Sequence, residues 1–348
     1  MKDYTTLLNK IQDRYNPDNL YEVRNKALLE SNRSLYDVAK YVRLAMMEVD
    51  DSYTQKTIQA GENVKACLRN ELNAGIEFEY QGSVMTQTHI RGASDIDVLT
   101  FVGKFSGTDL YKVRQIINSY AYSSDGYELE NLKRWERSFN PYEGNPTDDL
   151  RALRFQCERI LQRTYSTCEL SKPKSIKITN THLHRDVDIV VCNRFDSVEY
   201  IKGKGDEYRG VEIYDKLKNQ RLPPDYPFLS IKRINLRSAE TEGRLKRMIR
   251  FLKNVRTDSD QDIKLTSFDI NAICYDIEPN VYAKCHYMEL VRVLYSKLNA
   301  LSSRENADDL RSVVGDEYIF RSNSDKFSAL LKLRDEVKDI YNSNRLLI

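Results

Sequence analysis

Two carboxylates side by side, with a small flexible turn upstream of them, are the residues here that could do chemistry. Gly82-Ser83 is followed, after eleven intervening residues, by Asp95-Ile96-Asp97 at the head of the apolar run Val98-Leu99-Thr100-Phe101-Val102. Residues i and i+2 of a strand share a face, and each residue rises about 3.3 Å. Asp95 and Asp97 therefore stand together on one face while Ile96 and Val98 point to the core. Like charges that close repel unless something positive lies between them. A pair of divalent cations meets that need, held roughly 3.5–4 Å apart during in-line phosphoryl displacement. A third acid is available far downstream, in Leu183-His184-Arg185-Asp186-Val187-Asp188-Ile189-Val190-Val191. Asp188 is flanked there by Val187 and Ile189, where a carboxylate needs a metal, a basic partner or a hydrogen-bond network. Asp186 shares its face but lies nearer the polar end, and is the second candidate. A lone Asp-x-Asp pair is as readily an ordinary strand-end or turn feature; the spaced Gly-Ser and the distant strand acid set this one apart.

The elements that position these residues follow from periodicity. Residues 5–75 are helical in pattern, with apolar side chains at helical spacing over Asp37–Val49 and again over Thr54–Leu72. Gly75 is a C-terminal stop before the alternating strand Ile76–Tyr80. Ser83 is expected where strand gives way to helix, so that free N–H groups and the helix dipole form an anion site. Gly82 would let the backbone approach an anion, and Gln81 and Ser83 would add side-chain donors. Residues 105–172 read as a polar, turn-rich insertion closing with a helix over Asp148–Tyr165, capped by Thr147 or Asp148. Ser175–Thr179 reads as a strand leading into the one that holds Asp188. The run Leu222-Pro-Pro-Asp-Tyr-Pro227 can continue neither helix nor central strand, which places a domain boundary between 1–222 and 223–348. From Ser238 onward the pattern is helical. Over Arg244–Arg256, Leu245, Met248, Ile249 and Leu252 form the apolar face, and Lys246, Arg250 and Lys253 a second, largely solvated one.

Composition narrows the function class. The 348 residues carry 54 basic and 52 acidic side chains, a net charge of +2, which argues against stable binding to duplex DNA. The polar start Met1-Lys2-Asp3-Tyr4 and the lack of any apolar run near the roughly 20 residues of a membrane span predict a cytoplasmic protein. The six cysteines have no paired spacing and read as reduced thiols. His182-x-His184 has no third ligand at metal spacing, and no His/Cys set suits a zinc ribbon.

Taken together, Gly82-Ser83, Asp95-x-Asp97 and the distant acid in Val-Asp-Ile resemble the polymerase-β-type nucleotidyltransferase signature. Within that superfamily the chain is similar to the CD-NTases, the bacterial relatives of cyclic GMP-AMP synthase that act in anti-phage defence. The resemblance extends to Lys253 in Phe-Leu-Lys-Asn and Ser267 in Leu-Thr-Ser-Phe, fourteen residues apart, which occupy the places of triphosphate contacts in that family. It implies an α+β fold with a polymerase-β-like mixed-sheet core, an N-terminal helical spine and a C-terminal helical lobe. It implies two Mg²⁺ ions on Asp95, Asp97 and Asp188, with Mn²⁺ able to substitute, and nucleotide contacts from Gln81, Gly82, Ser83, Lys253 and Ser267. The activity implied is the joining of nucleoside triphosphates (ATP, GTP or pyrimidine NTPs) into a cyclic oligonucleotide by a monomeric enzyme, whose product reaches a downstream effector. An RNA-tailing or protein-nucleotidylating enzyme would share the acids but need an acceptor track. An inactive binding scaffold would have no reason to keep all three.

Overall fold

Alternation along two strands places every acid on one side of a sheet. The computed structural model describes residues 3–15, 34–93, 95–119 and 126–344. The sheet has seven strands: β1 (Ile76–Gln81), β2 (Ile96–Thr108), β3 (Thr167–Glu169), β4 (Ile176–Asn180), β5 (Arg185–Asp196), β6 (Gly210–Asp215) and β7 (Gln220–Arg221). Their order is β1-β2-β5-β4-β3, with β6 paired to the second half of β5 and β7 to β6. Among the described residues only β2 and β5 run parallel; the other pairs are antiparallel, so the sheet is mixed.

Ile96 and Val98 of β2, with Val187, Ile189 and Val191 of β5, are buried on one face. They pack against Ala60, Val64 and Leu68 of the helix Asp51–Arg69 and against Leu150, Leu153 and Cys157 of the helix Pro146–Thr164. Each such side chain contributes roughly 1.5–3 kcal/mol relative to exposure. A one-residue slip of either strand would turn these groups out and the aspartates in, so burial on this face fixes the phase of the other. The helix Pro146–Thr164 starts two residues earlier than the sequence suggests. Asn145, not Thr147 or Asp148, is its cap, its side chain accepting from the N–H groups of Thr147 and Asp148, with Pro146 in the first helical position.

The described chain divides into two compact units, neither continuous. One takes residues 1–50, 86–94 and 233–348; the other takes 51–85 and 95–232 and contains the sheet. This differs from the expected division into 1–222 and 223–348. The reason is packing: Leu8 and Ile11 of the helix Tyr4–Tyr15, and Val38, Tyr41, Val42 and Ala45 of the helix Ser34–Met46, bury their faces among the C-terminal helices. Their periodicity announced an apolar stripe but not its partner. In that same core Leu245, Met248, Ile249 and Leu252 are fully buried, as their spacing requires. The second face of that helix is not solvated, however. Arg250 and Lys253 are buried too, because the carbonyl oxygens of Met46, Gln87 and Thr88 lie against them as acceptors.

Candidate active site

Strand register brings the predicted acids into one row. Gln81 lies opposite Asp97 on the antiparallel β1–β2 pair, Asp97 opposite Asp188 on the parallel β2–β5 pair, and Asp188 opposite Lys177 on the antiparallel β5–β4 pair. Partners in register share a face, so Gln81, Asp97, Asp188 and Lys177 form a line across the sheet. One step along the strands, Thr179 lies opposite Asp186. Asp95 sits immediately before β2 on the same side as Asp97.

The carboxylates are already engaged by bases. The Lys177 ammonium donates to Asp95 at 2.7 Å and lies 2.8 Å from Asp186. Lys172 reaches Asp188 at 3.2 Å, and the Ser175 hydroxyl donates to the same oxygen at 3.0 Å. Thr179 donates to Asp186 at 2.6 Å. Burial alone would raise the Asp186 pKa, but the hydrogen bonds from Lys177 and Thr179 outweigh it and hold the carboxyl below its ordinary value. For Lys177 burial works downward, and the bonds to Asp186 and Asp95 override it, so the ammonium is held in its charged form. Asp95, Asp186 and Asp188 thus share two ammonium groups, those of Lys172 and Lys177.

The expected trio is thus brought to one face, but its carboxylates do not converge. Among the described residues no three acidic, histidine or cysteine side chains are arranged to hold a metal as they stand. Asp95 is turned onto Lys177, and Asp188 onto Lys172 and Ser175, because ion pairing relieves the repulsion among adjacent carboxylates. The residue types nonetheless fit a hard divalent cation, since every donor is a carboxylate oxygen. The turn packs closely on Asp97: Gly82 has a left-handed φ of +87°, and a Cβ there would run into the Asp97 carboxylate.

Ser83 does not begin a helix. Residues 83–87 form turns, and the chain leaves the sheet unit after Met85 and rejoins it at Asp95. Val84 is buried with the sheet core and Thr86 and Thr88 with the other unit, so too few residues stay together to nucleate a helix. The helix-dipole contribution expected at Ser83 is therefore lacking. Lys253, at 1% exposure, donates to the Thr88 carbonyl at 3.0 Å. Ser267, half-buried, is the first residue of the helix Ser267–Tyr275, which Thr266 and Asp269 close with a capping box. Sequence reasoning missed Lys172, Ser175, Lys177 and Thr179. The alternation Ser175-x-Lys177-x-Thr179 did mark three polar side chains on one strand face, but only the register shows that this face carries the acids.

Residues 232–342 match the family described as the cGAS/DncV-like nucleotidyltransferase C-terminal helical domain. A c-di-GMP synthase of a Lachnospiraceae bacterium is 48% identical over 341 residues, covering 97% of this chain and 98% of the relative. One from Capnocytophaga granulosa is 45% identical, covering 98% of each chain. Among solved structures, the STING-associated CdnE c-di-GMP synthase from Flavobacteriaceae sp. superposes with a TM-score of 0.85 at 34% identity, with full coverage of both chains. That from Capnocytophaga granulosa does so with a TM-score of 0.77 at 42% identity, again over all of both chains. With the acids on one face of a mixed sheet and relatives this similar along nearly the whole chain, the protein belongs to the CD-NTase family of cGAS/DncV-like nucleotidyltransferases.

Proposed function

We propose that this chain condenses two molecules of GTP into c-di-GMP, releasing pyrophosphate at each of two steps. The observation that carries the chemistry is the placement of Asp97 opposite Asp188 with Asp95 beside them; the choice of GTP follows its similarity to c-di-GMP synthases. In each step a ribose hydroxyl of one nucleotide attacks the α-phosphorus of the other, and the bond to the pyrophosphate oxygen breaks. Asp95, Asp97 and Asp188 are the residues proposed to hold Mg²⁺ or Mn²⁺. Bound there, the metal would acidify the attacking hydroxyl and offset charge on the phosphates. The protein's own part is to position, which can supply much of the rate in phosphoryl-type transfer. Gln81, Gly82 and Ser83, at the end of β1 beside Asp97, are proposed to take the phosphates. Lys253 and Ser267 are proposed to meet the triphosphate as well, in which case binding must exchange the bond from Lys253 to Thr88 for one to a phosphate oxygen. We assign the enzyme to the cytoplasm as a monomer, signalling through its product to a STING-type effector in anti-phage defence. No helix among the described residues is long and apolar enough to cross a membrane.

The test is incubation of the purified chain with α-labelled GTP and Mg²⁺, followed by phosphatase. A phosphatase-resistant product that co-migrates with c-di-GMP is expected from GTP alone. A labelled protein or RNA band, or a product that forms only when a second NTP is added, overturns the reading.

Gly82 offers a sharper local test. Alanine at φ +87° is strained by about 1–2 kcal/mol, and its Cβ would push the Asp97 carboxylate out of the row. Gly82→Ala should lower thermal stability by about that amount, while the condensation rate falls roughly a hundredfold. A normal rate would mean that the observed position of Asp97 is not the one chemistry requires.

A further inference from the structure

The acid face is built with its own counter-ions. Lys177 is 25% exposed and bridges Asp95 and Asp186, the former on the β2 side and the latter on β5. Lys172, on the segment between β3 and β4, pairs with Asp188, whose side chain is 14% exposed. The structure gives these two ammonium groups no other carboxylate partner among the described ion pairs. They therefore occupy oxygens of two of the three carboxylates proposed to ligate metal. A divalent cation that takes the same oxygens has to displace them, and a displaced ammonium is left beside whatever anion the cation brings with it.

We infer that Lys177 and Lys172 are exchangeable counter-ions: they compete with divalent cations for Asp95 and Asp188 and, once displaced, bind the phosphates of the incoming nucleotide. The inference rests on the proposed function for the identity of that nucleotide. Its physical basis is charge balance. With the lysines in place, the carboxylates of Asp95, Asp186 and Asp188 share two ammonium groups as counter-ions. A bound divalent cation replaces them as counter-ion and frees two flexible cations of the kind that bind phosphate elsewhere as point charges. Lys177 also lies opposite Asp188 in register, so its backbone is fixed on β4, at the end of the row, with four side-chain torsions between it and the ammonium. Thr179 and Ser175 keep a hydrogen bond on Asp186 and Asp188 whichever way the lysines turn.

Two affinities should move in opposite directions, which a purely structural lysine would not produce. In Lys177→Gln, Mn²⁺ titrated without nucleotide and followed by electron paramagnetic resonance should bind roughly three- to thirtyfold tighter than in the parent, since a partly exposed competing ion pair has been removed. The same variant, saturated with Mg²⁺, should bind a non-hydrolysable GTP analogue roughly tenfold more weakly. Lys172→Gln should show the same signs. Lys177→Arg keeps the charge and can grip both carboxylates, so its Mn²⁺ affinity should not rise. Unchanged or weaker Mn²⁺ binding in both glutamine variants, or no Mn²⁺ binding by any of the proteins, overturns the exchange and leaves the lysines as scaffold that orients the acids. The Mn²⁺ arm involves no nucleotide, so its outcome is separable from whether GTP is the substrate.

Discussion

Asp97→Asn combined with Asp188→Asn should abolish formation of the cyclic dinucleotide, with the rate falling at least about 10³-fold. Metal-assisted charge stabilisation is worth several kcal/mol, and about 1.36 kcal/mol corresponds to each tenfold in rate. The fold should survive, because the core face of β2 and β5 is made by Ile96, Val98, Val187, Ile189 and Val191, which the substitution leaves alone. The effect on stability should lie within about 1 kcal/mol, since partly exposed ion pairs contribute little. Relief of repulsion between the two adjacent carboxylates favours the variant, and loss of the bonds from Lys172 and Ser175 to Asp188 opposes it. Asp186→Asn is the contrast: its carboxylate is not in register with Asp97, so activity should be largely kept. Rates of GTP consumption and calorimetric melting check all three. An Asp186→Asn enzyme as inactive as the double variant would move the third ligand to Asp186.

Lys253→Ala should act on stability and on nucleotide binding, and a second substitution separates the two. The side chain is buried, and Thr88, whose carbonyl accepts from it, is fully buried as well. Removing the donor costs about 1–3 kcal/mol, and losing the stem leaves a cavity that brings the total to about 3–5 kcal/mol. Lys253→Met keeps most of the stem and should lose only the first part. If the ammonium also meets the triphosphate, both variants should bind GTP roughly ten- to a hundredfold more weakly, the loss of one charge-assisted contact. Melting curves and GTP titrations on the same samples decide it. Normal GTP affinity in Lys253→Met would confine Lys253 to holding the segment around Thr88, and would remove it from the nucleotide site. Lys246 is not a neutral control for this experiment, because it donates to Gln87, the neighbour of Thr88, at 2.9 Å.

Much of the site could be read from residue types because its constraint is local. A strand with Ile96 and Val98 on one side must show Asp95 and Asp97 on the other, and the same holds for Val187, Ile189 and Asp188. Any other phase would expose apolar surface and bury charge. Leu245, Met248, Ile249 and Leu252 likewise declared a buried helix face through spacing alone. What only the tertiary structure decided is which elements meet. Asp97 and Asp188 are far apart in sequence and face each other because β2 and β5 pair in parallel, a choice set by the shared core and invisible in either strand. Lys177 joins the acids for the same reason, through the β4–β5 register. The helices Tyr4–Tyr15 and Ser34–Met46 pack with the C-terminal core rather than the sheet, Ser83 sits in a turn, and Arg250 and Lys253 are buried on a helix face expected to be largely solvated. Periodicity specifies how a segment divides its own surface between core and water. It carries no information about the partner that covers it, which long-range packing of the whole chain selects.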